Sequence, residues 1–172
     1  FWRHLIYKLK ILIMKLFSGS SNLPLAKEIS ELYGIQLGKL KIEKFKDGEI
    51  LPTFGESVRG EDVFILQSLY NSDSIMETIL IGDAAKRSDC KSITLIAPYL
   101  AYSRADKVDH LRSSIGSKVM ADMISLKYDK IITIDLHNSA ITAFYDIPVI
   151  HLDGSKIFKP YIKKMRLEDL TV

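Results

Sequence analysis

Residues 130–149 read KIITIDLHNSAITAFYDIPV, and this stretch decides the fold of the chain. Its β-branched run at residues 131–134 is too short for a helix, which predicts a buried strand. The run stops at Asp135, and residues 138–144 begin with two side chains that commonly cap helices. We therefore expect a strand with polar residues at its carboxyl end, followed by a short helix.

The end of this strand carries an acid and an imidazole, Asp135 and His137. Strand residues two apart point to the same face, so the two side chains leave the strand together. The carboxyl ends of strands are where open α/β sheets bind ligands. A carboxylate beside an imidazole suits a divalent cation, or a base with its orienting partner. The alternative is a histidine that is merely held by hydrogen bonds at the mouth of a loop.

The composition is that of a globular domain. The chain has 172 residues, 47% of them hydrophobic and 26% charged, which suits one domain or part of a larger protein. The net charge of +3 is small and the lysines are scattered, so we expect no nucleic-acid partner. No apolar run reaches the length of a membrane span. A single cysteine, Cys90, predicts a reducing, cytoplasmic compartment and an inert thiol.

Residues 1–13 differ in character from the rest of the chain. Their apolar side chains form one helical stripe, which comprises Trp2, Leu5, Ile6, Leu9 and Ile13. The segment is basic and has no acidic residue, which is typical of an organelle-targeting sequence or of a surface-binding helix. Because a natural-looking start follows at Met14, we interpret residues 1–13 as an upstream extension or the result of a misplaced start, with no part in the chemistry.

Apolar runs alternate with amphipathic helical patterns along the remaining chain. The predicted strands are 16–17, 37–45, 50–54, 62–67, 92–97, 131–134 and 149–150. The predicted helices are 24–33, 72–88, a segment that begins at 113 or 114 and runs through 126, and 155–165. This alternation predicts an α/β fold, a Rossmann-like and mostly parallel sheet with helices on both faces.

Local signals refine these elements. Ser72 or Ser74 is predicted to cap the long helix, and Ser113 or Ser114 the next one. The predicted core-facing residues of the long helix are Ile75, Met76, Ile79, Leu80, Ala84 and Ala85. Asp47-Gly48 predicts a hairpin, and Pro52 places its second strand at an edge. The Gly/Ser loop at 18–22 could cradle phosphate, but a plain tight turn is the better interpretation.

The connection at residues 99–112 is long, polar and charged, which is typical of a functional lid. In a parallel sheet the loops that follow the strands share one rim. That rim would hold Arg104, Asp106, Lys107, Asp135 and His137. Cations beside a pair of metal-type ligands predict a polyphosphate ligand.

Five motifs together resemble the amino-terminal half of bacterial ribose-phosphate pyrophosphokinases, also called phosphoribosyl pyrophosphate synthetases. They are MKLFSGS at 14–20, FKDGE at 45–49, ESVRGEDVFILQS at 56–68, PYLAYSRAD at 98–106 and DLHNSAITAFYDIPV at 135–149. Five motifs in the family's order are far more specific than any one of them alone.

The resemblance implies a phosphoribosyltransferase-type domain and an enzymatic reaction. Members of the family transfer the pyrophosphoryl group of ATP to the anomeric hydroxyl of ribose 5-phosphate, with magnesium, and release AMP. The resemblance therefore implies ATP and ribose 5-phosphate as substrates, Mg²⁺ as cofactor and a homo-oligomeric assembly, with no membrane partner.

The resemblance also implies site residues. The nucleotide-binding residues would be Phe45, Asp47, Gly48, Glu49, Arg104, Ala105 and Asp106. The 45–49 motif would contact adenine in a neighbouring subunit's site, and Arg104 would hold the ATP phosphates. The residues that face the magnesium would be Asp135, His137 and Asp146. The loop at 103–112 would close as a lid, and no catalytic residue is assigned in this chain.

The chain departs from the family's pattern. The departing residues are Ala105, Val108, Ala140 and Ile150, where the family usually has an amide, a cation, an amide and a carboxylate. The family's ribose-phosphate loop and its catalytic lysine–arginine flap are not found in this sequence. We therefore expect half an active site, incomplete for catalysis.

We divide the chain into the extension at 1–13, an amino-terminal pyrophosphokinase domain at 14–166 and the start of a second domain at 167–172. The implied function is that of a ribose-phosphate diphosphokinase in nucleotide biosynthesis. One alternative is a non-catalytic nucleotide-binding or regulatory subunit that associates with a full-length synthetase. Another is a decayed gene product without activity.

Overall fold

Residues 14–166 are described in a computed structural model, and the segments at 1–13 and 167–172 lie outside it. The strands are β1 (Met14–Ser18), β2 (Leu40–Lys44), β3 (Ile50–Phe54), β4 (Asp62–Leu66), β5 (Ser92–Ala97), β6 (Lys130–Ile134) and β7 (Val149–Leu152). The α-helices are α1 (Leu23–Tyr33), α2 (Ser72–Arg87), α3 (Gly116–Lys127) and α4 (Ser155–Met165). A 3₁₀ helix spans Ser139–Phe144.

Five strands form one parallel sheet in the order β1-β4-β5-β6-β7. Each neighbouring pair is joined through at least one helical crossover, as parallel strands require. The hairpin β2–β3 forms a separate antiparallel pair, and β3 packs against α2. The predicted α/β fold with a mostly parallel sheet is confirmed.

Helices cover both faces of the sheet. Neighbouring residues of a strand point to opposite faces, and Leu16 and Phe17 of β1 lie in different apolar clusters. Leu16 packs with Ala26 of α1, whereas Phe17 belongs to the larger cluster that contains Ile75 of α2 and Met120 of α3. This arrangement confirms the prediction that helices cover both faces of the sheet. Because both faces of β4 and β5 are covered, most residues of these strands are apolar.

The hairpin is also confirmed at its turn. Gly48 has φ +96°, a left-handed conformation that glycine adopts without strain, and its N–H donates to Phe45 O at 3.0 Å. The predicted strand at 37–45 is wrong at its start, because β2 begins only at Leu40. The preceding Gly38 is held by β1 instead, since its N–H donates to Leu16 O at 2.7 Å.

The predicted capping of two helices is wrong. Asn71 caps α2, and Ser74 is its reciprocal partner three residues into the helix. Helix α3 begins at Gly116, after Ile115, without a side-chain cap. Ser113 instead closes a turn, because its hydroxyl donates to His110 O at 2.8 Å.

The core-facing side of α2 is rotated relative to the prediction. Met76 is 49% exposed, and Ile79, Leu80 and Ala84 are only partly buried. The buried residues are Ser74, Ile75, Glu77, Thr78, Ile81, Gly82 and Ala85. Polar side chains lie inward because they are hydrogen-bonded there, which apolar periodicity alone cannot reveal.

No helix among residues 14–166 is long and apolar enough to cross a membrane.

Candidate functional site

A cavity of about 1010 Å³ opens at the carboxyl ends of β5 and β6. It is lined by residues 98–105, which follow β5, by residues 133–137 at the end of β6, and by residues 70–72 at the start of α2. Ala97 and Thr133 are in register on neighbouring parallel strands, so the loops that follow them face the same opening. The cavity lies where open α/β sheets bind ligands.

Two residues that line this cavity have an uncommon backbone conformation. Tyr102 has φ +62° and Asp135 has φ +45°, the left-handed region that favours glycine. Among the described residues the other non-glycine positions with a positive φ are Asp89, Arg112 and Arg166, which do not line the cavity. Such conformations cost free energy and persist where neighbouring structure holds them, which is common at functional sites.

Asp135 is fixed from two directions by the chain around β7. Its N–H donates to Leu152 O at 3.1 Å, and its Oδ1 accepts from Gly154 N–H at 2.9 Å. Its Oδ2 accepts no hydrogen bond from the residues that the structure describes. The carboxylate is therefore oriented through one oxygen, while the other remains available to a ligand.

His137 lines the cavity, is exposed and makes no hydrogen bond within residues 14–166. The interpretation of His137 as a histidine held by hydrogen bonds is therefore wrong. That description fits His151 of β7, whose Nε2 accepts from Leu136 N–H at 3.0 Å. His137 is left free to face a ligand.

The loop after β5 meets the Asp135 turn through Asn138. The Asn138 side chain donates to Asp106 Oδ2 at 3.2 Å and accepts from Ala140 N–H at 2.9 Å. Arg104 lines the same cavity, is exposed and forms no ion pair among the described residues. Ala105 bonds only through its backbone, which accepts from Ser117 N–H at 3.0 Å.

Of the predicted nucleotide-binding residues, those at 104–106 lie at the cavity, whereas those at 45–49 lie elsewhere. Arg104 and Ala105 line the cavity that Asp135 and His137 also line, and Asp106 is tied to its rim. The residues of the 45–49 motif lie exposed at the hairpin tip and do not line it. An ion pair between Lys44 and Asp73 attaches the hairpin to α2.

The metal-ligand prediction is only partly reflected in the geometry. Within residues 14–166 no three His, Cys, Asp or Glu side chains gather as a metal cage. Asp146 does not line the cavity, and its N–H donates to Ser125 Oγ at 3.2 Å. Asp135 and His137 still fit a magnesium–nucleotide, because Mg²⁺ keeps several waters and takes one or two protein groups beside phosphate oxygens.

Thr133 adds a polar atom beside this pair. It lines the cavity, it is 1% exposed, and its Oγ1 is the one buried side-chain polar atom without a partner in the described part of the chain. Buried hydroxyls are almost always hydrogen-bonded, so the orphan marks a place where water or a ligand group completes the site.

The Gly/Ser loop at 18–22 is a structural turn. Ser20 N–H donates to Glu77 Oε1 at 2.7 Å, and Ser21 N–H donates to Gln67 Oε1 at 3.0 Å. Glu77 and Gln67 are buried, and these bonds occupy the amides that would cradle a phosphate. The sequence predicts a tight turn here but carries no signal for the buried partners of its amides.

Cys90 matches its sequence interpretation. The thiol is half-buried, and burial raises its pKa, with the nearby Asp129 carboxylate acting in the same direction. A protonated thiol is a poor nucleophile, which supports an inert role.

The sequence carries no signal for the roles of His151 and Gly154. They support Asp135 and Leu136 only because β7 pairs with β6, a tertiary contact without a local signal. The sequence predicts Asn138 as a helix cap, but it does not predict the bond from Asn138 to Asp106, which lies 32 residues away in the chain.

Comparison with known proteins finds relatives of one enzyme family. Residues 14–126 match the family described as the N-terminal domain of ribose phosphate pyrophosphokinase. A ribose-phosphate pyrophosphokinase of Porphyromonas gingivalis is 45% identical over 159 residues, which cover 91% of this chain and 51% of that protein. That of Bacillus caldolyticus is 41% identical over 162 residues, which cover 92% and 51%.

A solved structure shows the same fold. The phosphoribosylpyrophosphate synthetase from Mycobacterium smegmatis has a TM-score of 0.85 and 34% sequence identity, over 88% of this chain and 52% of that one. The chain therefore spans about half the length of the relatives that it matches.

Proposed function

The chain belongs to the ribose-phosphate pyrophosphokinase family, and from this membership we propose that it supplies the nucleotide-binding half of a site that transfers pyrophosphate from ATP to ribose 5-phosphate. One observation carries the proposal. The loop of Arg104 and the turn of Asp135 and His137 line one cavity at the end of the parallel sheet.

The side chains at this cavity suit a triphosphate. The Arg104 guanidinium offers a planar fork of donors, and in the described chain no carboxylate neutralises it. Asp135 Oδ2 and the His137 imidazole would hold the magnesium of the nucleotide, which supplies neutralisation of phosphate charge when bound. Positioned charge, rather than a covalent nucleophile, is what phosphoryl-group transfer demands of a protein.

The loop at 103–112 would close over the bound nucleotide and exclude water from the activated phosphate. Its attachments favour a hinge at its beginning, where Ala105 is bonded to Tyr102 and Ser117. The middle of the loop is exposed, including Lys107 and Val108. Exclusion of water protects the phosphate from hydrolysis while the second substrate is positioned.

The exposed tip of the β2–β3 hairpin supports an assembly. Phe45 is 50% exposed, and Asp47 and Glu49 form no ion pair among the described residues. In one chain these residues are not part of the cavity, so we propose that they contact the adenine bound by a neighbouring copy. Phe45→Ala would then weaken both nucleotide affinity and self-association, measured by titration and light scattering.

We expect the isolated chain to have no pyrophosphokinase activity. The residues that would grip ribose 5-phosphate are not identified in it, and holding two reactants together can contribute about 7–11 kcal/mol to catalysis. We expect no AMP release from ATP and ribose 5-phosphate with the isolated chain. AMP formation that depends on ribose 5-phosphate would contradict this expectation.

A chimaera tests the proposal in a complete site. Residues 14–166 replace the matching half of the P. gingivalis relative, and AMP release is measured. We expect activity, a loss of about 100-fold or more in Arg104→Ala, and no loss in Lys130→Ala, a control at the opposite end of β6. A folded but inactive chimaera, or equal effects of both substitutions, would contradict the proposal.

A second candidate is a non-catalytic nucleotide-binding or regulatory subunit. Ala105 favours it, because its methyl side chain cannot donate or accept a hydrogen bond in the cavity, where the family usually has an amide side chain. Mixing the chain with a full-length relative distinguishes the two functions. A regulatory subunit would change the activity of the relative, and the chimaera built on residues 14–166 would be folded but inactive.

A further inference from the structure

The turn that presents Asp135 and His137 is strained. Asp135 has φ +45°, a left-handed conformation that is uncommon outside glycine and costs some free energy even for aspartate. Asp135 and His137 both line the cavity, so the conformation of this turn decides where both side chains point.

Three hydrogen bonds hold the turn, and all of them come from β7 and the residues after it. Asp135 N–H donates to Leu152 O, Leu136 N–H donates to His151 Nε2, and Gly154 N–H donates to Asp135 Oδ1. The first and third use the backbone of residues 152 and 154, which any sequence would supply. Only the second, at 3.0 Å, depends on the identity of a β7 side chain.

We propose that His151 is a positioning residue for the candidate nucleotide site. Its Nε2 accepts the Leu136 N–H and thereby fixes the strained turn between Asp135 and His137. As an acceptor at Nε2, the ring carries its proton at Nδ1. That the turn serves a nucleotide rests on the proposed function, whereas the hydrogen bond by which His151 holds the turn does not.

The geometry excludes simpler roles for His151. Its Nε2 is occupied by an amide, so this nitrogen cannot also bind a metal. The ring is half-buried, and Leu136 is half-buried as well, so an apolar replacement would leave the amide without its partner. A merely space-filling role would not require an acceptor at this position.

Two matched substitutions test the proposal in the full chain. His151→Gln places an amide oxygen at a reach similar to Nε2 and keeps the acceptor, while His151→Leu removes it. We expect hydrogen exchange at the Leu136 amide to be slow in the wild type and in H151Q and about tenfold faster in H151L. Exchange at the Leu95 amide, in the buried strand β5, serves as the folding control.

The second measurement is calorimetric titration with ATP and magnesium. We expect H151L to weaken binding about tenfold, which corresponds to about 1.4 kcal/mol, and H151Q to bind as the wild type does. If H151L also speeds exchange at the Leu95 amide, the whole fold is destabilised and His151→Met is used in place of H151L. Methionine has a longer side chain whose sulfur is only a weak acceptor.

The outcomes separate the two proposals. Unchanged Leu136 exchange in the apolar variant, or altered exchange with unchanged magnesium–ATP affinity, would overturn the positioning role. The predicted exchange pattern in a wild-type chain that binds no magnesium–ATP would support the holding of the turn and overturn the proposed function instead.

Discussion

At the scale of single residues, Gly154 sets the position of the Asp135 carboxylate. A Cβ at Gly154 would lie 2.4 Å from Asp135 Oδ2 and 3.2 Å from Phe158 Cε2. Its φ of −63° suits any residue, so the requirement is space and not backbone conformation. Gly154→Ala should therefore displace the carboxylate, destabilise the fold by about 1–3 kcal/mol and weaken magnesium–ATP binding.

Gly34 offers the matched control for this substitution. It has φ +64° and open space around its Cα, and it ends α1 far along the chain from the cavity. Gly34→Ala should cost about 1 kcal/mol of stability through strain alone and leave nucleotide affinity unchanged. Urea unfolding and calorimetric titration measure the two effects. Equal losses of affinity in both variants would contradict the role of Gly154.

Asn138 allows a test of the contact between the loop at 103–112 and the Asp135 turn. Asn138→Asp keeps an acceptor for Ala140 N–H but places a carboxylate beside Asp106, so like charges should open the contact. We expect faster hydrogen exchange at the Ala105 amide. In the double variant with Asp106→Asn, the amide at position 106 can donate to the carboxylate at position 138, so the contact should form again and the exchange at Ala105 should slow. Exchange that stays fast in the double variant would contradict this account.

At the scale of elements, α2 shows where sequence patterns succeed and where they fail. Its bounds follow from apolar periodicity, since the predicted helix at 72–88 matches Ser72–Arg87 to within one residue. Its buried face does not, because Glu77 lies inward and accepts bonds from Ser20 and Gln67. Hydrogen bonds between residues far apart in sequence decided the rotation of the helix, and periodicity does not report them.

This rotation predicts that substitutions at two neighbouring positions of α2 change the stability of the fold by very different amounts. Glu77→Ala would leave buried donors without a partner and should destabilise the fold by about 3 kcal/mol or more. Met76→Ser, at a position 49% exposed, should change stability by about 0.5 kcal/mol or less. Urea unfolding measures the free energy of unfolding of the two variants. A larger loss of stability in M76S than in the Glu77→Ala variant would contradict the observed orientation of α2 and support the one predicted from sequence.

The start of β4 predicts a pH dependence. A hydrogen bond from Ser92 and a second from Lys91 hold the pKa of Asp62 below its usual range. A carboxyl group whose pKa is lower in the folded state contributes stability at pH values above its unfolded pKa of about 3.9. This contribution is lost as the pH falls through the lower pKa of the folded state. Asp62→Asn should therefore be less stable than the wild type at pH 6, with a gap that narrows towards pH 2 in denaturant unfolding. A constant gap would contradict the assignment.

At the scale of the whole molecule, the parallel sheet and the position of the cavity could be predicted from sequence. Alternating strands and helices imply a shared rim, and Arg104, Asp135 and His137 do meet there. The supports of the rim could not be predicted, because His151 and Gly154 act through the pairing of β7 with β6. The hairpin tip with Phe45 lies outside the cavity of its own chain, so its role depends on neighbours that no single-chain pattern describes.

We propose that this chain carries a magnesium–nucleotide site built on Arg104, Asp135 and His137. Calorimetric titration of the chain with ATP, with and without magnesium, decides whether this site exists. We expect magnesium-dependent binding that Arg104→Ala and His137→Ala each weaken about tenfold or more, as loss of a charge-assisted contact implies, and that Lys130→Ala leaves unchanged. Binding that is independent of magnesium, or that is indifferent to both substitutions, would contradict the account.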